Sequence, residues 1–145
     1  MLSLMETIIF LKGVSIFQKV DGEGLRYLAE KAEEKIVEAG SLIFRENEMG
    51  EEMYIVKSGK IEVFKEINGE KKSMAILGQK DFFGEMAILE EAPRSASVMA
   101  VEDSALISID KESFRQAIFE YPDIALEVLK CLSQRLREAN EKLSS

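Results

Sequence analysis

The most informative stretch of the chain is Phe83-Gly84-Glu85-Met86-Ala87-Ile88-Leu89-Glu90-Glu91-Ala92-Pro93-Arg94-Ser95-Ala96-Ser97-Val98. It places a glycine, a carboxylate, a short apolar turn and an arginine close together. Gly84 has no Cβ and lets a ligand approach the backbone, and the turn after it can direct N–H groups at an anion. Arg94 can present a planar fork of donors to phosphate oxygens, and ionised Glu85 can accept hydrogen bonds from a sugar hydroxyl. The stretch therefore predicts a site for a sugar phosphate.

The residues of this stretch also have plainer interpretations. Met86 and Ala87 can offer backbone N–H groups and a close wall to a ligand, or can pack in the core of a short helix. Glu85 can favour the positive end of a helical turn. Arg94 can be a solvated surface arginine. The spacing of the whole run favours the ligand site.

The run from Phe83 to Val98 resembles the phosphate-binding cassette of the cyclic nucleotide-binding domain family. The family's pattern is Phe-Gly-Glu, aliphatic, small, aliphatic, Leu, three variable positions, Pro-Arg, any residue, Ala, Ser or Thr, Val. Every fixed position is met. Gly40, Gly50 and Gly59 also fall where the family places turn glycines, so the resemblance extends from about Phe10 to about Leu136.

The resemblance implies roles for individual residues. Arg94 and the turn after Gly84 would hold a cyclic phosphate, Glu85 would hold the ribose 2′-hydroxyl, and the Ser95 hydroxyl could reach the phosphate. The implied ligand is 3′,5′-cyclic AMP or cyclic GMP, with no further cofactor. A threonine at the position of Ser95 is often linked with cGMP preference. Serine therefore leaves the base open, and cAMP is favoured.

Three strand residues align with family positions that line the purine: Val63, Met74 and Leu77. As apolar residues of strands they are equally well explained as part of the core.

Bulk properties limit the class of protein. The chain has 145 residues, enough for a core, and is expected to form one domain over residues 1–145. Its net charge of −8 argues against nucleic acid as a direct partner. No apolar run approaches the roughly 20 residues of a membrane span, and the start does not read as a signal peptide. The single cysteine, Cys131, suits a reducing cytoplasm.

Residues that could support catalysis or bind metal are scarce. The sequence contains no histidine, which removes Ser-His-Asp and Cys-His catalysis and the usual zinc sites. Glu90 and Glu91 are more typical of a solvated loop than of an acid–base pair, and Cys131 has no evident partner that would lower its pKa. We therefore expect neither an enzyme nor a metal site, and an enzyme on a cupin-like roll is disfavoured.

The chain divides into three parts. A helical segment is expected over about 5–34, with Asp21 capping a helix that starts near Glu23. Short apolar strands separated by glycine turns, including the hairpin signal Asn68-Gly69, follow over about 35–110. They suggest a small antiparallel barrel or jelly roll, and the family resemblance implies an eight-stranded antiparallel β-roll. C-terminal helices are expected over about 111–143, the first of them capped by Asp110.

The last helix carries a heptad-like apolar seam, formed by Leu129, Leu132, Leu136, Ala139 and Leu143. The seam could pack on its own roll. By resemblance, the final helix of this family covers the base and in bacterial members often forms a homodimer.

The sequence thus predicts a receptor domain whose C-terminal helix closes on a cyclic nucleotide and signals to a separate, unknown effector protein. The alternative is a degenerate roll that acts as a protein-interaction scaffold without nucleotide. Loss of Glu85 or Arg94 would be its usual sign, and both are present.

Overall fold

The computed structural model describes residues 2–144, so the end residues Met1 and Ser145 of the expected domain lie outside the described part. The helices are α1 (Leu4–Lys12), α2 (Gly22–Lys31), α3 (Glu85–Glu90), α4 (Lys111–Glu120) and α5 (Asp123–Ser144), with a 3₁₀ turn at Ser15–Phe17. The strands are β1 (Glu33–Val37), β2 (Leu42–Phe44), β3 (Glu52–Ser58), β4 (Ile61–Ile67), β5 (Glu70–Leu77), β6 (Phe82–Phe83), β7 (Ser97–Ala100) and β8 (Ser104–Asp110).

The strands form two four-stranded antiparallel sheets. One has the order β1-β8-β3-β6 and the other β2-β7-β4-β5. Helices precede and follow the strands along the chain. This arrangement confirms the predicted eight-stranded antiparallel roll with flanking helices.

The middle strands of the first sheet are buried on both faces. On β3, Met53 and Ile55 belong to the large core that the helices share, while Tyr54 and Val56 belong to a second cluster between the two sheets. Successive side chains of a strand point to opposite faces, and burial of both faces gives a continuous apolar run rather than alternation. The cluster between the sheets lies directly behind the cassette, because Phe83 is one of its members.

Two helices begin at the predicted caps. The Gly24 N–H donates to Asp21 Oδ1 at 2.9 Å at the start of α2, and the Ser113 N–H donates to Asp110 Oδ1 at 2.8 Å at the start of α4. Each contact satisfies a backbone donor that has no partner within its helix. The predicted hairpin is also present, since Asn68 and Gly69 connect β4 to β5 with φ of 54° and 80°. Positive φ at both central residues is what a two-residue turn of this kind requires.

Parts of the roll differ from the sequence interpretation. β1 begins at Glu33, inside the segment expected to be helical, and pairs along β8. β6 and β7 overlap the two ends of the cassette, and local signals did not predict either as a separate strand. Their positions depend on pairing with β3 and β4, which are distant in sequence.

Candidate functional site

Gly84 connects β6 to α3 in a conformation that suits glycine. Its φ is 84°, and a Cβ built there would lie 2.8 Å from Arg94 Nη1 and 3.3 Å from the carbonyl oxygen of Glu52. Both the left-handed backbone and the closeness of Arg94 therefore require a residue without a side chain. The expected apolar turn is the short helix α3, which ends at Glu90 and is followed by Glu91 in a left-handed conformation.

Arg94 is buried against the start of this helix. Its side chain is 5% exposed, and Nη1 donates to the Gly84 carbonyl oxygen at 2.7 Å. Nη2 donates to the Glu52 carbonyl oxygen at 2.7 Å. Burial lowers the pKa of Arg94, and the nearby Tyr54 and Glu52 oppose that shift. A guanidinium stays charged at any ordinary pH.

The direction of the Arg94 donors differs from the sequence expectation. We expected the whole fork to face a phosphate, whereas two of its N–H groups already donate to backbone carbonyls. The Nε–H is buried, and within the described part of the chain nothing accepts its hydrogen bond. A guanidinium has five N–H donors, so the Nε–H and the remaining Nη hydrogens are the ones left for an anion.

The backbone of Arg94 is held by the loop before β3. The Arg94 N–H donates to the Glu48 carbonyl at 2.7 Å, and the Asn47 N–H donates to the Arg94 carbonyl at 2.8 Å. Gly50 is buried in the same loop, and a Cβ there would lie 2.6 Å from Ala87 Cβ and 2.9 Å from Arg94 Cζ. The loop thus fixes the arginine and leaves no room for a larger residue at position 50.

Glu85, the first residue of α3, is 2% exposed. Among residues 2–144 nothing donates a hydrogen bond to its Oε1, although Arg135 Nη1 lies 3.5 Å away as an ion pair. Burial raises the pKa of Glu85, opposed by its own backbone N–H and by the charges of Arg135 and Arg94. An ionised carboxylate held in this way is an acceptor that still lacks a donor.

Arg135 is a site residue that the sequence interpretation missed. It lies on α5, its side chain is about half exposed, and its Cζ is 5.5 Å from the centre of the Phe82 ring. Helical spacing could have identified Arg135. It lies on the same face of α5 as Ile124 and Val128, which are fully buried. An arginine on an otherwise apolar stripe faces something that accepts its charge.

A small aromatic cluster lies behind Arg94. Phe44 of β2 has its ring centre 4.0 Å from Arg94 Cζ and about 6 Å from the rings of Tyr54 (6.1 Å) and Phe83 (6.0 Å). Tyr54 and Phe83 stack at 5.1 Å. Burial, together with the charge of Glu52, raises the pKa of Tyr54 to about 12. The Tyr54 hydroxyl stays neutral and donates to Glu52 Oε1 at 3.2 Å.

The other predicted ligand residues differ in burial and in position. Ala87 is buried beside Gly50, while Met86 is 39% exposed and Ser95 is exposed. The three residues aligned with the purine are spread over β4 and β5: Val63 and Leu77 are half-buried beside the cluster between the sheets, whereas Met74 is 57% exposed.

A shallow groove of about 700 Å³ lies at another place on the molecule. It is lined by Glu51, Glu52, Asp110, Lys111, Glu112, Arg115, Gln116 and Phe119. None of the predicted ligand residues lines it. Over residues 2–144, no grouping of three or more His, Cys, Asp or Glu side chains suits a metal ion, and no helix described there is both long and apolar enough to span a bilayer.

Comparisons with known proteins identify the family. A family model, the cyclic nucleotide-binding domain, matches residues 34–121. The cyclic AMP receptor protein of Thermus thermophilus is 33% identical over 134 residues, which are 92% of this chain and 62% of that protein. The crystal structure of the Thermus thermophilus catabolite activator protein has a TM-score of 0.80 and 32% identity, over 90% of this chain and 62% of that one. The regulatory domain of Toxoplasma gondii PKA, crystallised with cAMP, has a TM-score of 0.74 and 32% identity, over 79% of this chain and 44% of that one.

The fold is the antiparallel roll with flanking helices that these solved proteins share. Because the family match covers more than half of the sequence, the chain belongs to the cyclic nucleotide-binding domain family. The predicted family is thereby confirmed. The chain spans about three-fifths of the length of the curated relatives it matches, 62% and 60% for the first two.

Proposed function

We propose that the chain is a regulatory domain that binds a 3′,5′-cyclic purine nucleotide, with cAMP favoured over cGMP. One observation carries the proposal: the cassette buries a cationic donor and an anionic acceptor, Arg94 Nε and Glu85 Oε1, that both lack a hydrogen-bond partner among residues 2–144. Leaving a buried polar group unpaired costs about 1–3 kcal/mol. A ligand that joins a phosphate to a free ribose hydroxyl would satisfy both.

Arg94 and Glu85 contact different parts of the ligand. Arg94 keeps two donors on backbone carbonyls, which fix its position, and offers the Nε–H to a phosphate oxygen. Glu85 accepts from the ribose 2′-hydroxyl. Gly84, Met86, Ala87 and Ser95 form the wall of the phosphate site. Val63, Met74 and Leu77 lie on the side of the purine.

The preference for cAMP rests on relatives. The Thermus thermophilus relative is named a cyclic AMP receptor protein, and the Toxoplasma gondii structure holds cAMP. Ser95 itself leaves the base open, because the family resemblance links only threonine at this position with cGMP. These relatives are regulatory by name, which supports a regulator rather than an enzyme.

Ligand binding would act on α5 through Glu85. Arg135 of α5 is 3.5 Å from Glu85 Oε1, so a ribose hydroxyl at Glu85 changes what Arg135 contacts. The ligand can shift α5 only as far as it binds one helix position better than the other. A separate effector protein would read that shift. We place the receptor in the cytoplasm, since its single cysteine suits a reducing compartment.

We further propose that the domain forms a homodimer through α5. Leu129, Leu136 and Leu143 recur every seventh residue and are 61%, 64% and 86% exposed, while Leu132 is partly buried against its own core. Two such seams can bury each other in a coiled coil. The net charge of −8 makes nucleic acid an unsuitable direct partner of residues 1–145, which we regard as one domain.

The test is calorimetric titration of nucleotide-stripped protein with cAMP and with cGMP. Micromolar or tighter binding is expected, and Arg94→Ala should weaken it at least about a hundredfold, equivalent to roughly 2.7 kcal/mol. Arg94→Lys keeps the charge but not the fork, and serves if the alanine variant melts early. Arg26→Ala, an exposed arginine of α2 paired with Glu30, is the matched control and should bind normally.

The rival function is a protein-interaction scaffold that binds no nucleotide. Folded wild-type protein that gives neither heat nor a thermal shift with either ligand would contradict the receptor proposal and favour that rival. Equal binding by wild type and Arg94→Ala would place the ligand elsewhere.

A further inference from the structure

The guanidinium of Arg94 is fixed by more than its hydrogen bonds. Phe44 presents its ring to the guanidinium, with the ring centre 4.0 Å from Cζ. A cation this close to an aromatic face is attracted to it. The ring also lies beside the cassette glycine, since a Cβ on Gly84 would be 3.5 Å from Phe44 Cε2.

The two carbonyl contacts hold the Nη atoms at one end of the guanidinium group. The Gly84 and Glu52 oxygens accept from Nη1 and Nη2, both at 2.7 Å. The group can still tilt about the line through these two atoms. A ring against Cζ opposes that tilt, and the tilt decides where the Nε–H points.

The ring of Phe44 is itself held in place. It contacts the rings of Tyr54 and Phe83, which stack on each other at 5.1 Å. Its backbone lies in β2, paired with Val98 of β7. Phe44 is half-buried, so it is fixed on one side by the roll and borders the cassette on the other.

We propose that Phe44 is a positioning residue that aims the free Arg94 donors at the cyclic phosphate. The inference rests on the proposed function, because it assigns Phe44 a role in the same ligand site. The residue acts through Arg94 and needs no contact with the nucleotide.

The test is a double-mutant cycle on cAMP affinity with Phe44→Leu and Arg94→Lys. Phe44→Leu alone should weaken binding about tenfold. In the Arg94→Lys background the same change should cost less than about twofold, because an ammonium has no plane to orient. Phe44→Tyr keeps the ring and should bind within about twofold of wild type.

A second measurement reports on the guanidinium without ligand. In ¹⁵N-labelled protein, the Arg94 Nε–H should exchange with water faster in Phe44→Leu than in wild type, because a guanidinium that can tilt exposes this donor. This readout stands even if Arg94→Lys binds too weakly to measure. The melting temperatures of all variants are measured before the binding experiments. Phe44→Met replaces Phe44→Leu if the leucine variant is unfolded.

The matched control is Phe64→Leu. Phe64 also has a cation over its ring, but that cation is Lys71, with Nζ 5.7 Å from the ring centre, rather than Arg94. Phe64→Leu should leave the cAMP affinity and the exchange rate of the Arg94 Nε–H unchanged. Equal losses from Phe44→Leu in both arginine backgrounds, or an unchanged exchange rate of the Arg94 Nε–H, would overturn the inference. Failure of the proposed function is distinguishable, because wild-type protein itself would then bind no cAMP.

Discussion

Arg135 Nη1 of the last helix lies 3.5 Å from the buried Oε1 of Glu85 at the start of α3. The contact joins the cassette to a helix from which two strands, β7 and β8, and the helix α4 separate it along the chain. In the proposed receptor, Glu85 is therefore the residue at which the ligand and α5 would compete. Occupation of the cassette would then change the contacts of α5.

Arg135→Ala should loosen the second half of α5 in the ligand-free protein. The apolar contacts of this helix with the core end at Leu132, and Arg135 continues them through Glu85 and Phe82. Without these contacts, backbone amides after residue 132 should exchange faster with deuterated solvent, because fewer tertiary contacts hold the helix. Arg137→Ala, two residues further on, is the control. The same exchange in all three proteins would contradict the account.

Cyclic nucleotide affinity should weaken as the pH falls through the raised pKa of Glu85. Burial raises that pKa in the ligand-free protein, and the ionised carboxylate accepts a hydrogen bond from the ribose hydroxyl more strongly than the neutral acid does. Binding in this range therefore releases a proton, which calorimetry in buffers of different ionisation enthalpy detects. Glu85→Gln should remove this pH dependence, while Glu90→Gln, an exposed carboxylate of the same helix, should keep it.

The same shift has a consequence for stability. Because the folded pKa of Glu85 lies above its unfolded value, the ligand-free protein gains stability as the pH falls through the folded pKa, and the gain is complete below the unfolded pKa. Glu85→Gln should lack this gain in urea titrations at a series of pH values. A parallel pH profile for both proteins would show that Glu85 does not titrate as described.

Gly50→Ala should destabilise the domain by about 1–3 kcal/mol and weaken binding. The new methyl group would lie 2.6 Å from Ala87 Cβ and 2.9 Å from Arg94 Cζ, so the loop or the arginine must move. Gly78→Ala has open space around it and should change stability by less than about 0.5 kcal/mol. Equal unfolding free energies for the two variants would show that the loop containing Gly50 accommodates the methyl group without loss of stability.

Leu136→Glu should convert a dimer into a monomer. Leu136 is 64% exposed at the centre of the seventh-residue seam, where a charge would have to be buried against the partner helix. Ile67→Glu places the same charge at an exposed apolar residue of β4, outside α5, and should leave the dimer intact. Sedimentation velocity measures the oligomeric state of both variants. A wild-type protein that is monomeric at every concentration would contradict dimerisation through this seam.

Local signals in the sequence predicted much of this fold. Short-range contacts can be predicted from the sequence, as they were for the caps Asp21 and Asp110 and the turn Asn68-Gly69. β1 was harder to predict, because Glu33–Val37 begins with charged residues and becomes a strand by pairing with β8. Its register depends on residues far along the chain.

The residues of the candidate site stay a prediction, and several of its contacts have no signal in the sequence. The spacing of Gly84, Glu85 and Arg94 located the cassette. The acceptor of Arg94 Nη2, the Glu52 carbonyl, is 42 residues away and comes from a backbone atom, which has no sequence signature. Arg135 reaches Glu85 through the packing of α5, and helical spacing alone marked it.

The most direct measurement is the Arg94 Nε–H resonance of ¹⁵N-labelled, nucleotide-stripped protein during titration with cAMP. This donor is buried and has no acceptor among residues 2–144. The account predicts that the signal moves to a new position and saturates with the ligand, because a phosphate oxygen accepts the hydrogen bond. A signal that stays in place up to millimolar cAMP would contradict the claim that Arg94 holds a cyclic phosphate.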